Sequence, residues 1–237
     1  WIMEIFYKDS PLLIITITSI TTSVHVTSAM LNYMKYDVGT MGNHDVETGH
    51  AVYDRWVKQC AFPVLGANIV DNKTGEPYLT PYKIIERKGV KIAVLGMITP
   101  AIPSWLPEQL WNGLHFEDME DCARKWVKII KEKENPDVLI GLFHAGPEGN
   151  KLDNVVENGS GDVAKNVPGF DVVFMGHDHV RRCEKIVNVA GDSVLLVDPA
   201  NAARYVSDVT VKVTKAGGKA CAKICRGCFG RCFPLCC

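Results

Sequence analysis

Three short runs in this chain end an apolar or small stretch with side chains that bind divalent metals and move protons. They are Asn43 and His44 in MGNHDVETGH, His144 in PDVLIGLFHAG, and His177 and His179 in FDVVFMGHDH. Neutral imidazole suits Zn, Fe, Mn or Co, and an amide oxygen tolerates a hard divalent ion. One histidine at a strand end is ordinarily a polar residue on a surface rim, but three such endings in one chain point to a shared site. Gly42 and Gly176, next to these residues, let the backbone turn sharply and approach a substrate closely. The other histidines carry less weight. His25 lies on a predicted helix, His115 just before one and His50 at the start of another, so all three read as structural or solvated. Asp45 and Asp178 are open between hydrogen-bond support for the site and simple loop solvation.

From about residue 22 to 213 strand-like and helix-like segments alternate, which marks an α/β layered domain. The segments Tyr36–His44, Pro136–His144 and Phe170–His179 share one design: Asp, a short apolar or small stretch, then histidine. Such runs fit strands buried on both faces. Val90–Ile98 has the same character without a ligand, so the design alone does not make a site. Ligands of open α/β sheets bind outside the carboxyl ends of the strands. Asn43, His44, His144, His177 and His179 are therefore expected to meet on one rim. Phe116–Lys133 places Phe116, Met119, Ala123, Trp126, Val127 and Ile130 on one helix face, and Pro136 bars continuation. Shorter helices are predicted over Ser23–Met34, capped by Thr22 or Ser23, and over Ala51–Cys60. The Gly-, Asn- and Glu-rich segment Pro147–Gly161 reads as a surface loop.

The bulk composition narrows the classes. A chain of 237 residues with 47% hydrophobic and 22% charged residues buries a sizeable core. Its net charge of -1 gives no long-range pull on a nucleic-acid polymer or an anionic membrane. No apolar run reaches the roughly 18 residues of a membrane span. Residue 1 is Trp, and no signal peptide follows it in the usual order of regions, so position 1 reads as a cut end. Cys60, Cys122 and Cys183 are scattered singly and read as small buried hydrophobes, while Cys221, Cys225, Cys228, Cys232, Cys236 and Cys237 crowd the C-terminal end.

The order Gly-Asn-His-Asp, a lone histidine after a strand, then Gly-His-x-His resembles the calcineurin-like metallophosphoesterase superfamily. The wider set MGNHDVETG, LGANI, GLFHAG and MGHDH is similar to its branch of 5'-nucleotidases and 2',3'-cyclic-nucleotide phosphodiesterases. The resemblance covers about residues 22–213 and implies a four-layer α-β-β-α sandwich with two divalent metal ions at the strand ends. It further implies a nucleotide or other small phosphoester as substrate, hydrolysed by metal-activated water, and a location outside the cytoplasm, such as the periplasm. Asn43, His144 and His177 would ligate one ion and His179 the other. His44 would stabilise the transition state or protonate the leaving group. Glu47, standing where nucleotidases usually have Asp, would orient His44. Mn, Zn, Fe, Co and Ca are not distinguished by these residues.

Two earlier motifs of that family, Asp-x-His and then Gly-Asp with its bridging carboxylate, do not occur before Asn43; the second should fall near Glu4 and Ile5. One ion would keep three ligands and the other only His179, so this chain is expected to hold one ion at most. The stretch WIMEIFYKDSPLLIITITSI reads as a coding sequence translated in a shifted frame, in preference to a divergent N-terminus. The unique codons of Trp and Met and the avoidance of stops force Gly, Leu and Gln in that frame, and a permitted choice elsewhere gives DNGDILQGQPTAYYYNYID. That restores Gly-Asp-x-x-Gln-Gly just before TTSVH. Residues 1–21 are thus expected to be aberrant, 22–213 the partial phosphoesterase domain, and 214–237 a separate Cys-rich tail. The tail stays open between a zinc or disulfide cluster built on Cys221, Cys225, Cys228 and Cys232 and a second shifted reading, YAEGASVDVS, across Ile224–Pro234. On the second alternative the family's C-terminal substrate-binding domain is absent.

Overall fold

The computed structural model describes residues 24–149, 151–153, 155–216 and 219–231. The shifted-frame segment 1–21 and the side chains of the tail cysteines lie outside that description. The first half of the chain forms α1 (Val26–Tyr33), β1 (Gly39–Thr40), α2 (Asn43–Val46), α3 (His50–Gln59), β2 (Val64–Leu65), β3 (Ile69–Asp71), β4 (Tyr82–Arg87), β5 (Val90–Ile98), α4 (Ile102–Trp105) and β6 (Leu114–Phe116). The second half forms α5 (Met119–Lys133), β7 (Val138–His144), β8 (Lys151–Leu152), β9 (Val155–Val156), α6 (Ser160–Asn166), β10 (Val172–Phe174), β11 (Arg181–Val187), β12 (Ser193–Pro199), β13 (Tyr205–Ala216) and β14 (Lys219–Arg231).

The apolar runs β5, β7, β10 and β12 lie parallel at the centre of a six-stranded sheet, of order β11-β12-β10-β7-β5-β4, with β4 and β11 antiparallel at its edges. Successive side chains of a strand point to opposite faces. Leu95, Met97, Leu139, Phe143, Val173 and Leu196 thus pack under Ala123, Val127 and Ile130 of α5 and Val163 of α6. The interleaved Val94, Ile140, Leu142, Val172, Phe174, Leu195 and Val197 face the other way, against Val38, Leu65 and Val209 beside or within β1, β2 and β13. A third cluster, with Met41, Tyr53, Trp56, Val64, Ile98 and Ile102, joins the outer helices to that second β layer. This is the expected α-β-β-α sandwich. Its β layers approach closely at Gly96, where a Cβ would lie 2.1 Å from Leu65 Cβ.

The Asp that opens the repeated design has a backbone role. Asp137 N donates to Lys91 O at 2.7 Å while its Oδ2 accepts from Lys91 N at 2.8 Å. Asp171 repeats the clasp one strand over: its N donates to Leu139 O at 2.9 Å and its Oδ2 accepts from Leu139 N at 2.8 Å. A parallel strand begins with backbone groups that its ladder does not satisfy, and these carboxylates close them. Asp37 differs, taking Arg87 Nη2 at 2.5 Å on the exposed edge.

Several local expectations change. α1 begins at Val26 with His25 as its cap, Nδ1 accepting from Thr27 N at 3.3 Å, in place of Thr22 or Ser23. The strand expected over Tyr36–His44 shortens to Gly39–Thr40, because Asp45 Oδ2 accepts from Gly42 N at 2.9 Å and closes a short helix at Asn43. α5 starts at Met119, with Asp118 Oδ1 accepting from Glu120 N and Asp121 N at 2.9 and 3.0 Å. Among the scattered cysteines only Cys122 is buried; Cys60 is half-buried and Cys183 exposed. Backbone pairing joins β13 and β14 as an antiparallel hairpin. Among the described residues no helix is long and apolar enough to cross a membrane.

Candidate metal centre

Three polar atoms meet where β7, β10 and the loop after β1 come to an end. His144 is the last residue of β7, fully enclosed, and its Nε2 lies 2.7 Å from Asn43 Oδ1. His177 Nδ1 lies 3.3 Å from the same oxygen, and the two imidazole centroids are 5.3 Å apart. Gly42 makes this approach feasible, since a Cβ there would come within 2.8 Å of the His144 ring. A cation bound at about 2.0–2.2 Å by N and O ligands sets them about 3 Å apart, which matches the spacing of these donors.

Burial, reinforced by the neighbouring imidazoles of His177, His44 and His179, pushes the His144 imidazole well below the usual histidine range. A neutral ring keeps the lone pair that a metal needs. The same influence puts His44 and His179 within electrostatic range of His144. His44 lies on α2, its side chain half exposed, with Nδ1 at 3.0 Å from Glu47 Oε1. His179 Nδ1 accepts from Asn201 Nδ2 at 3.3 Å. His177 and His179 both sit at positive φ, 84° and 61°, where a residue with a Cβ is held only by its surroundings.

Of the five rim residues of the sequence reading, Asn43, His144 and His177 are in direct contact, while His44 and His179 are close enough to act electrostatically on His144. Asp45 and Asp178 serve their own turns, Asp45 through Gly42 N and Asp178 through Val180 N at 3.1 Å. His50 is a helix-start residue as expected, bridging Asp54 Oδ2 at 3.3 Å and Asn112 O at 3.0 Å. Two neighbours of the centre were not legible in the sequence. Glu157 Oε1 lies 3.0 Å from His177 Nε2, and the Trp105 ring lies over His177 with centroids 5.3 Å apart. Glu157 falls in the segment read as a surface loop, and no local spacing relates it to a histidine 20 positions away.

These donors fit one cation in part and a second poorly. Among the described residues no set of three or more His, Cys, Asp and Glu is arranged to hold a metal. The first position would rely on the Asn43 amide as its third donor, and among the described residues no contact joins a carboxylate to both this position and His179.

Comparison with known proteins shows the family and the fold of the chain. The family model described as calcineurin-like phosphoesterase matches residues 22–181. A protein of Haemophilus influenzae named 2',3'-cyclic-nucleotide 2'-phosphodiesterase/3'-nucleotidase is 35% identical over 158 residues, covering 63% of this chain and 24% of that protein. A Vibrio cholerae protein named 5'-nucleotidase is 31% identical over 150 residues, covering 62% of this chain and 27% of that protein. The chain thus spans about a quarter of the length of these curated relatives. Among solved structures, the calcineurin-like phosphoesterase YfkN of Bacillus subtilis superposes with a TM-score of 0.74 at 26% identity, covering 89% of this chain and 68% of that one.

Proposed function

The chain belongs to the calcineurin-like phosphoesterase family, and from that premise we propose that it is part of a metal-dependent hydrolase of nucleotide phosphomonoesters or cyclic phosphodiesters. The observation that carries the proposal is the meeting of Asn43 Oδ1 with His144 Nε2 and His177 Nδ1 at 2.7 and 3.3 Å. Asn43, His144 and His177 would hold one divalent ion, and His179 would contribute to a second. Bound there, divalent ions would supply Lewis acidity toward phosphoryl oxygens and a more acidic water as nucleophile. An amide at Asn43, in place of a carboxylate, leaves more of the cation's charge for the phosphate. The 3.0 Å contact of His44 Nδ1 with Glu47 supports a role for the other ring nitrogen, Nε2, which would donate a hydrogen bond to a phosphoryl oxygen or a proton to the leaving group. The periplasm or another extracytoplasmic compartment is the location this reading carries with it.

In the chain as it stands the absence of a bridging carboxylate favours a second reading, a remnant that binds a single cation and turns over little or no substrate. Both are tested by adding Mn2+, Zn2+ or Co2+ to this chain, and to a form extended by the Asp-x-His and Gly-Asp motifs, and measuring release of phosphate from nucleotides and of nucleotide from cyclic diesters. Metal-dependent turnover is expected in the extended form and little in this one. Equal activity in both would overturn the claim that the site is broken, and inactivity in both would overturn the hydrolase itself.

A further inference from the structure

His177 touches the centre through only one of its two ring nitrogens. Nδ1 faces Asn43 Oδ1 at 3.3 Å, whereas Nε2 faces Glu157 Oε1 at 3.0 Å. A carboxylate oxygen only accepts, so the hydrogen of that second contact sits on Nε2, and Nδ1 of the neutral ring keeps its lone pair. That lone pair points at an amide oxygen, which is also an acceptor. Two acceptors facing across 3.3 Å repel, and a cation between them removes the conflict.

Glu157 is itself fixed by a circuit of hydrogen bonds that starts from the neighbouring ligand. Thr99, fully buried, donates through N to His144 O at 2.9 Å and through Oγ1 to Glu157 O at 2.7 Å. The residues that follow are stitched to the end of β7: Gly146 N donates to Asn158 Oδ1 at 2.5 Å, Ser160 N to Gly146 O at 3.0 Å, and Ser160 Oγ to Ala145 O at 2.7 Å. A segment whose composition reads as a loose loop thus holds its carboxylate in a set place. His177 needs such support, because its backbone is at φ 84°. Trp105 covers one face of its ring and Glu157 takes its outer edge.

We propose that Glu157 is a positioning residue for cation binding: by accepting the Nε2–H of His177 it fixes the tautomer and turns Nδ1 toward the ion. This role rests on the reading of His177 as a metal ligand. Carboxylates behind ligating histidines act in this way, and their loss weakens metal affinity by about 10–100-fold.

The test has two readouts on the 237-residue chain. In the metal-free, 15N-labelled protein above neutral pH, long-range proton–nitrogen correlation of the imidazoles reports which nitrogen of His177 carries the hydrogen. The Nε2–H form is expected in the wild type and in Glu157→Gln, whose amide oxygen still accepts, and a mixture of forms in Glu157→Ala. An Nδ1–H form in the wild type, or the same tautomer in Glu157→Ala, overturns the proposal. Calorimetric titration with Zn2+ then reads the consequence: Glu157→Ala is expected to bind about 10–100-fold more weakly, with Glu157→Gln recovering part of the loss. Equal affinity in Glu157→Ala and wild type overturns the positioning role alone. A wild type that takes up no Zn2+ overturns the metal reading of His177 and this role together.

Discussion

The two ends of the central parallel strands are built on opposite terms. Where β7 and β10 begin, Asp137 and Asp171 each clasp one residue of the preceding strand through a backbone N–H and a carboxylate oxygen. Where the same strands end, His144 is enclosed against Asn43, and His177 and His179 occupy backbone conformations that favour glycine. Burial acts on titratable groups at both ends, raising the Asp171 carboxyl and lowering the His144 imidazole. At the beginning of the strands each clasp pairs a donor with an acceptor within the fold. At the end, donor atoms are aimed at one another in a way that a cation would complete. In Pro136–His144 and Phe170–His179 the opening Asp thus ties the start of a strand to its neighbour, while the histidine at the other end faces Asn43.

The division can be broken most sharply at His144. His144→Ala is expected to weaken Zn2+ uptake by roughly 100-fold or more, since a ligand matters more than the groups behind it; calorimetric titration measures this. A comparable loss from Asp171→Ala would erase the distinction between the ends.

Asp171→Ala should act on stability and leave Zn2+ uptake unchanged. It deprives Leu139 N of its side-chain partner, at a cost of about 1–3 kcal/mol in a urea unfolding series. Asp171→Asn sharpens the point through pH. Burial raises the Asp171 carboxyl above its usual 3.8, against the lowering effect of the Leu139 N–H. The folded protein therefore holds that proton more tightly than the unfolded chain. Wild type is favoured below 3.8 and loses that advantage as pH rises through the folded-state value. Asp171→Asn, with no proton to lose, should gain on wild type as pH rises from acid toward neutral. Urea midpoints that move the other way would mean that the buried charge stabilises the clasp.

The smallest effect is expected in the loop that carries Asn201, the partner of His179. Ala200, Ala202 and Ala203 all lie at positive φ, 62°, 60° and 51°. An L-residue there is strained by roughly 1–2 kcal/mol, and part of this returns with glycine, so Ala203→Gly should raise stability by about 0.5–1 kcal/mol in thermal unfolding. A lower melting temperature would show that surrounding contacts already absorb the strain.

Much of this was legible in the sequence because it depends on short-range order. Short continuous apolar runs along Val138–His144 and Val172–Phe174 announce strands covered on both faces, and the residues that end such segments are expected on a common rim by topology. The helix face of Met119, Ala123, Val127 and Ile130 follows from spacing in the same way. Errors arose where a side chain competes with the backbone. Asp45 turns the expected strand into a helix at Asn43, and His25 replaces the hydroxyl caps expected upstream. Glu157 and Trp105 escaped because their relation to His177 exists only after β5, β7 and β10 are side by side. The purpose of Asp137 and Asp171 escaped for the same reason, their partners being 46 and 32 positions away.

Gly96 carries a consequence for how this molecule tolerates change. Leu65, fully buried, pairs with Thr40, and Thr40 leads through Gly42 to Asn43. Gly96 lies on β5, whose neighbour β7 ends in His144. The distance between an amide and an imidazole from two different sheets is therefore gauged by a hydrogen atom where any other residue has carbon. Position 96 is therefore closed to any side chain while position 65 keeps its own Cβ.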